Sequence, residues 1–424
     1  MEDKNIILIG IVIFAIVLSC VLYLTNFEVG TGDIGSGTGT SRLSDIGATV
    51  GSVESIVEAN NLFALEYYSE IKDDGGNIFF SPYSISTALA MVYEGAKGQT
   101  AEEIVDVFHF PEDNDARRPS FARIYNEINK ENKSYALSTA NALWAQKDYT
   151  FLESYLKTME TYYGGKVTNL DFVEDTENSR QTINKWVEEQ TNDKIKNLIP
   201  KGFLHDMTRL VLTNAIYFKG TWVKQFDEKN TREEDFTTSE GSVKAEMMRL
   251  TGEEAKFSYA ETDKLQVLEL PYDGNDLSML ILLPKDDLAS IENEFTVENL
   301  NKWKNMLENQ RVDIYIPKFT FETKYFMSND LKKMGMTVAF SENADFSGMD
   351  GTRMLFIDFV IHQAFVEVNE EGTEAAAATG VGMALTSLPI EQKVFRADHP
   401  FIFIIQDRET GNILFIGRMS NPSS

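Results

Sequence analysis

Read for apolar and polar positions, the chain breaks into helix-like and strand-like stretches. Apolar residues recur every three or four positions over 52–71, which predicts an amphipathic helix. Residues 77–93 read as a strand, then Ser81-Pro82 opening a buried helix. A short helix is predicted over 100–110, with Thr100 and Glu103 as a capping box. Residues 135–145 are strand-like, 151–163 helical and 166–172 a strand, and 178–199 predict one long helix stopped by Pro200. Residues 208–222 are apolar on both faces, as a central strand should be. Several alternating strands fill 234–285, with a turn at Asp273-Gly274-Asn275. A helix over 297–307 is capped by Thr296, 313–323 is a strand and 329–334 starts a short helix. The runs 354–368 and 393–405 are strand-like, and a C-terminal strand pair turns at 410–412. Strands and helices mix without strict βαβ alternation, so the class is α+β with large antiparallel sheets.

Two stretches depart from this pattern. Residues 370–387 read EEGTEAAAATGVGMALTS. Ala375, Ala376, Ala377 and Ala378 would suit a helix, but glycines flank them and no apolar face repeats. An exposed loop able to add to a sheet is expected, with a flexible Ala/Gly linker as the plain alternative. Residues 6–24 carry no charge and are long enough to cross a bilayer as a helix. A signal peptide, or a lipoprotein site at Cys20, are the rivals, and all three place the rest outside the cytoplasm. The expected organisation is a membrane span over 1–25, a Gly/Ser/Thr-rich linker over 26–52 and a single domain over 53–424, displayed at the cell surface. Gly30, Gly32 and Gly35 spell a dinucleotide-binding pattern, but an apolar span precedes them and no amphipathic helix follows closely.

Composition narrows the function. A net charge of −27 argues against nucleic acid and anionic lipid. Cys20 is the one cysteine, so no intrachain disulfide forms. His109, His205, His362 and His399 are scattered, and no metal or cofactor is expected. No nucleophile elbow, zinc signature or phosphate loop is present, so no catalysis by this chain is expected. Asn132 opens the single glycosylation sequon.

The flanks of the Ala-rich stretch, FVIHQAFVEVNEEGTEAAAAT and VFRADHPFIFIIQDRETGNILFIGRMSNP, resemble the serpins, inhibitors of serine proteases. The resemblance covers residues 57–422. It implies a serpin fold: a large mixed central sheet, further sheets, about nine helices and an exposed reactive-centre loop. It implies a monomeric suicide substrate, trapped covalently with its target protease after the cut loop inserts as a strand between 208–222 and 360–368. Glu370, Gly372, Thr373, Glu374, the four alanines and Thr379 would be the hinge. Thr373, Ala375, Ala377 and Thr379 would face inward, and all are small. The family's spacing puts the cut at Thr386-Ser387, with Leu385-Thr386 as rival. Either suits an elastase-, chymotrypsin- or subtilisin-like enzyme, or a cysteine protease, rather than a trypsin-like one. Ser81, Asn214 and His362 resemble the shutter in mid-sheet; ordinary core polar groups are the alternative. Trp222, Lys318 and Glu370 resemble the breach at its top. Arg117, Arg118, Arg123, Lys130 and Lys133 lie where some serpins bind heparin, but acids interleave them, so a solvated face is expected and no heparin site. A non-inhibitory carrier, chaperone or structural serpin is the alternative function. An anchor without disulfides would fit a prokaryotic surface protein.

Overall fold

The structure is a computed structural model and describes residues 42–131, 133–373 and 393–423. Residues 374–379 of the hinge, Leu385, the Thr386-Ser387 bond and Asn132 lie outside the described residues. Among the described residues, sixteen strands form two sheets. The larger holds β1 (Ile78–Phe80), β5 (Arg232–Thr238), β6 (Gly241–Leu250), β7 (Lys256–Glu261), β8 (Leu265–Pro271), β9 (Leu277–Pro284), β10 (Glu308–Pro317), β14 (Lys393–Arg396), β15 (Phe401–Asp407) and β16 (Ile413–Met419). The smaller runs β11 (Phe319–Phe326), β12 (Ile357–Val368), β4 (Leu210–Thr221), β2 (Tyr135–Gln146), β3 (Lys166–Leu170), with β13 (Gly372–Thr373) paired to β4. Ten α-helical segments stand among the described residues.

The smaller sheet is mixed. β12 and β4 are parallel neighbours, in continuous register from Phe359↔Val211 to Phe365↔Tyr217 above an irregularity at Ile357–Phe359. β4 and β2 are antiparallel, and β2 and β3 parallel. Successive side chains of β4 point to opposite faces. Leu210, Leu212, Ile216 and Phe218 enter the main core. Val211 and Ala215 enter a second core with Ile183 and Val187 of the helix Thr176–Gln190. The sheet is therefore covered on both sides, which accounts for the unbroken apolar run at 208–222. The main core is dense in aromatic rings: Phe79 stacks on Phe415 and Phe403, at 5.1 and 5.7 Å between centroids.

Several expectations need correction. The strand predicted over 313–323 is two strands in two sheets. β10 ends at Pro317, Phe319 opens β11, and Lys318 is the crossing point. Apolar alternation continues through the crossing, so periodicity alone could not reveal it. The helix predicted to 199 ends at Gln190, because Asn192, Asp193 and Asn197 adopt positive φ, a conformation their short polar side chains tolerate. Thr100 is no N-cap: the helix starts at Gly98, and the Thr100 hydroxyl accepts from Asp345 N–H instead. Residues 42–52, expected within the linker, are described and partly packed. Leu43 is buried, its N–H donates to Asn126 Oδ1 and its carbonyl accepts from Asn126 Nδ2, both at 2.9 Å. The expected membrane anchor and cell-surface placement are also overturned. No helix among the described residues is long and apolar enough to cross a membrane. The segment 6–24 on which that expectation rested lies outside the described residues.

Phe79 is fully buried, stacked on Phe415 and Phe403. Phe79→Ala should therefore lower stability by about 3–5 kcal/mol, read as a shift in the urea midpoint at neutral pH.

Candidate functional site

The candidate site is the seam between β4 and β12. Two polar groups hold it, one in mid-sheet and one at the top.

In mid-sheet, Asn214 and His362 lie opposite each other in the parallel register. His362 is fully buried, and the Ser81 N–H donates to its Nε2 at 3.1 Å. Its Nδ1–H therefore points the other way, donating to Asn214 Oδ1. The amide nitrogen of Asn214 in turn donates to Ser84 Oγ and Asn141 Oδ1. Ser84 Oγ also donates to Asn141 Oδ1 at 3.1 Å, and Ser81 Oγ donates to the Leu414 carbonyl at 2.6 Å. Ser81 doubles as N-cap of the helix Pro82–Tyr93, accepting from Ser84 N–H. The cluster thus ties β2, β4, β12, β16 and that helix together. Both imidazole nitrogens are used by a neutral ring. Burial pushes the His362 pKa down to about 3, against a smaller upward pull from Asn214.

At the top, Glu370 is buried and its carboxylate accepts from Thr231 Oγ1 at 2.7 Å and Lys318 Nζ at 3.1 Å. Burial opposes its ionisation, but Thr231, its own backbone and Lys318 outweigh this and hold the carboxyl below its ordinary pKa. Lys318 reaches Glu370 because it stands where the chain crosses between sheets. Trp222 donates its indole N–H to the Asn369 carbonyl at 3.1 Å and its backbone N–H to the Glu371 carbonyl at 2.8 Å. Its ring stacks on Tyr272 at 4.5 Å. Gly372 and Thr373 pair with Thr221 and Gly220 of β4.

The structure therefore brings Ser81, Asn214 and His362 together, and separately Trp222, Lys318, Glu370, Gly372 and Thr373. Sequence reasoning missed Asn141, Ser84, Thr231 and Tyr272. Asn141 carried a signal, a lone amide inside the apolar run of β2, and it proves to pair with Asn214 across the strands. Thr231 carried none, since it is distant in sequence and its role depends on where the chain folds back.

The basic residues near 117–133 are engaged internally. Arg117 is no part of a solvated face: it is buried, and donates with Arg118 to Glu94, which also accepts from Tyr163 OH. Arg123 pairs with Glu127 and Lys130 with Asp276, while Lys133 donates to the Ile128 carbonyl. Among the described residues no group of three His, Cys, Asp or Glu could hold a metal ion.

A family model described as Serpin (serine protease inhibitor) matches residues 58–422. An uncharacterized serpin-like protein of Methanosarcina acetivorans is 46% identical over 376 residues, 87% of this chain and 86% of its own. Leukocyte elastase inhibitor A of Rattus norvegicus is 42% identical over 381 residues, 87% of this chain and 100% of its own. Among solved structures, uncleaved ovalbumin superposes with a TM-score of 0.78 at 34% identity, covering 87% of this chain and all of that one.

The buried histidine gives a pH test. In the unfolded chain it titrates near 6.5, and in the fold at about 3. The unfolded state therefore binds the proton first, and stability falls as pH drops below about 6.5, by roughly 1.4 kcal/mol per pH unit until the folded pKa is reached. Between pH 7.5 and 5, His362→Gln should remove about 2 kcal/mol of the wild-type loss, measured by urea unfolding. Equal losses in both chains would refute the assignment.

Proposed function

The chain belongs to the serpin family, and from that premise we propose that it is a suicide-substrate inhibitor of an elastase-, chymotrypsin- or subtilisin-like serine protease. The observation that carries the reading is the start of the hinge, Gly372–Thr373, paired to the end of β4 beside a seam whose strands are parallel; the hinge residues that would face inward, Thr373, Ala375, Ala377 and Thr379, are all small. The relative named as an elastase inhibitor supports the choice of protease class.

In the mechanism, the protease serine attacks the Thr386 carbonyl, the amine of Ser387 leaves, and an ester joins Thr386 to the enzyme. Release of the new end lets the loop enter the seam. Insertion of a cleaved reactive loop as a strand is the behaviour of inhibitory serpins and enters with that reading. Extending the two observed pairs antiparallel along β4 sets Ala375 opposite Phe218, Ala377 opposite Ile216 and Thr379 opposite Asn214. Phe218 and Ile216 point into the main core, so the residues facing them must be small. The same register sets Glu374 opposite Lys219, a favourable cross-strand pair. The ester-linked protease is carried along and distorted. Deacylation needs its oxyanion hole and base placed to within about 1 Å, so a modest distortion stops it.

Thr373 is 1% exposed, which leaves no room for a long charged side chain. Thr373→Arg should turn inhibitor into substrate: the loop is cut, but no stable complex survives denaturation. A variant that still traps protease one to one would refute insertion through this seat. The function itself is tested by incubating the full chain with elastase, chymotrypsin, subtilisin and trypsin, then running denaturing gels with mass spectrometry. An adduct stable in detergent and a new terminus at Ser387 are expected. Cleavage with no adduct and no rise in Tm would overturn the proposal.

A further inference from the structure

The register of β12 on β4 ends at Phe365↔Tyr217. Above it the strands diverge, and β13 occupies the opening before any cleavage has occurred. On one side Gly372 and Thr373 pair with Thr221 and Gly220. On the other, Asn369 N–H donates to the Gly372 carbonyl at 2.9 Å. The loop is thus two residues into the sheet in the intact chain.

Tyr272, just past the end of β8, makes this seat specific. Its hydroxyl lies 2.8 Å from Thr373 Oγ1, and both residues are buried. Its ring is clamped between Trp222, stacked at 4.5 Å, and Phe218, edge-on at 5.0 Å. The backbones close up to match. A Cβ on Gly220 would fall 2.7 Å from Tyr272 Cδ1, and one on Gly372 would fall 2.0 Å from the Gly220 carbonyl oxygen. Both positions need glycine for the hinge to reach the hydroxyl.

Resting on the proposed insertion mechanism, we propose that Tyr272 is a positioning residue that holds the hinge as a seeded strand and fixes its register. A slip of one residue would turn Glu374 toward the buried hydroxyl in place of Thr373, which the core excludes. Insertion then starts by lengthening a strand already begun. The first two residues need not find the seam during the brief life of the acyl-enzyme. The partition between trapping and hydrolysis therefore depends on one hydroxyl remote from the cut bond.

The test uses the intact full chain and three variants: Tyr272→Phe, Thr373→Val and the pair together. Each single change keeps shape and removes one hydroxyl. Hydrogen–deuterium exchange read by mass spectrometry follows peptides spanning 217–221 and 369–373. Each single variant should exchange there about tenfold faster than wild type, as expected for loss of one buried bond. The double variant should be no faster than the faster single one, since both changes remove the same bond. Peptides of β15 and β16 should be unchanged, and Tyr272→Phe should consume more inhibitor per protease trapped. Rapid exchange of both peptides in wild type, additive effects, or acceleration spread over the whole fold would each overturn the proposal. The two readings fail separately. Protected peptides without a protease adduct sink the inhibitory function and leave the seeded hinge standing. An adduct from a chain whose hinge is unprotected sinks only the seed.

Discussion

Everything in this fold turns on two parallel strands, β4 and β12, lying side by side with His362 bonded to Asn214 between them. Parallel neighbours leave an antiparallel slot open to any strand that can part them. The contact is complete as it stands, since the imidazole uses both nitrogens and the amide both ends. Parting the strands must break a buried network in which each removed partner leaves a desolvated group, at about 1–3 kcal/mol each. Closure is stable because its groups are satisfied, and opening has a threshold for the same reason. A fully satisfied buried cluster of this kind rigidifies the closed seam.

The top of the seam is held by different physics. Glu370 is buried but Lys318 is partly in water, so the pair is worth about 1 kcal/mol or less on charge alone. Its value is positional. Lys318 stands where the chain leaves one sheet for the other, and Glu370 stands where β12 turns back toward β4. The Thr231 hydroxyl and the Trp222 indole fix that turn from outside. The backbone of residues 369–373 is therefore fully specified, and its path leads into the opening and not away from it. If this turn serves as the proposed hinge, the sequence beyond Thr373 can be small, because the direction is already fixed by neighbours that are not.

Much of this was legible in the chain, and what was not has physical reasons. Central burial of 208–222 followed from apolar residues on both faces, and Ser81-Pro82 marked a helix start that the structure confirms. Ser81, Asn214 and His362, and likewise Trp222, Lys318 and Glu370, came from a family resemblance; no spacing in the sequence would have joined them. The resemblance did not extend to Asn141, Ser84, Thr231 or Tyr272, which act through contacts made only by folding. Period-2 alternation misread 313–323 as one strand, because a chain that crosses between two half-buried sheets keeps alternating as it crosses. The basic cluster was misread in the other direction. Arg117 looked like surface because arginine usually is, whereas a buried carboxylate, Glu94, was waiting for it.

The two locks also differ in how acid reaches them. His362 is neutral in the closed sheet and resists protonation by burial, so any proton it takes must favour states in which the imidazole meets water. Glu370 is charged in the closed sheet and held below the ordinary carboxyl range by its partners, so its bonds outlast the pH at which free histidine titrates. Below about pH 6.5 the driving force for opening therefore builds at mid-sheet while the top is still fastened. The order matters for the proposed seeded strand. Loosening the top first would release the hinge outward, whereas loosening the middle first leaves the hinge seated and the slot beneath it easier to part. If the loop inserts as proposed, an ionic fastening above a neutral one would bias the sheet toward admitting the loop rather than expelling it.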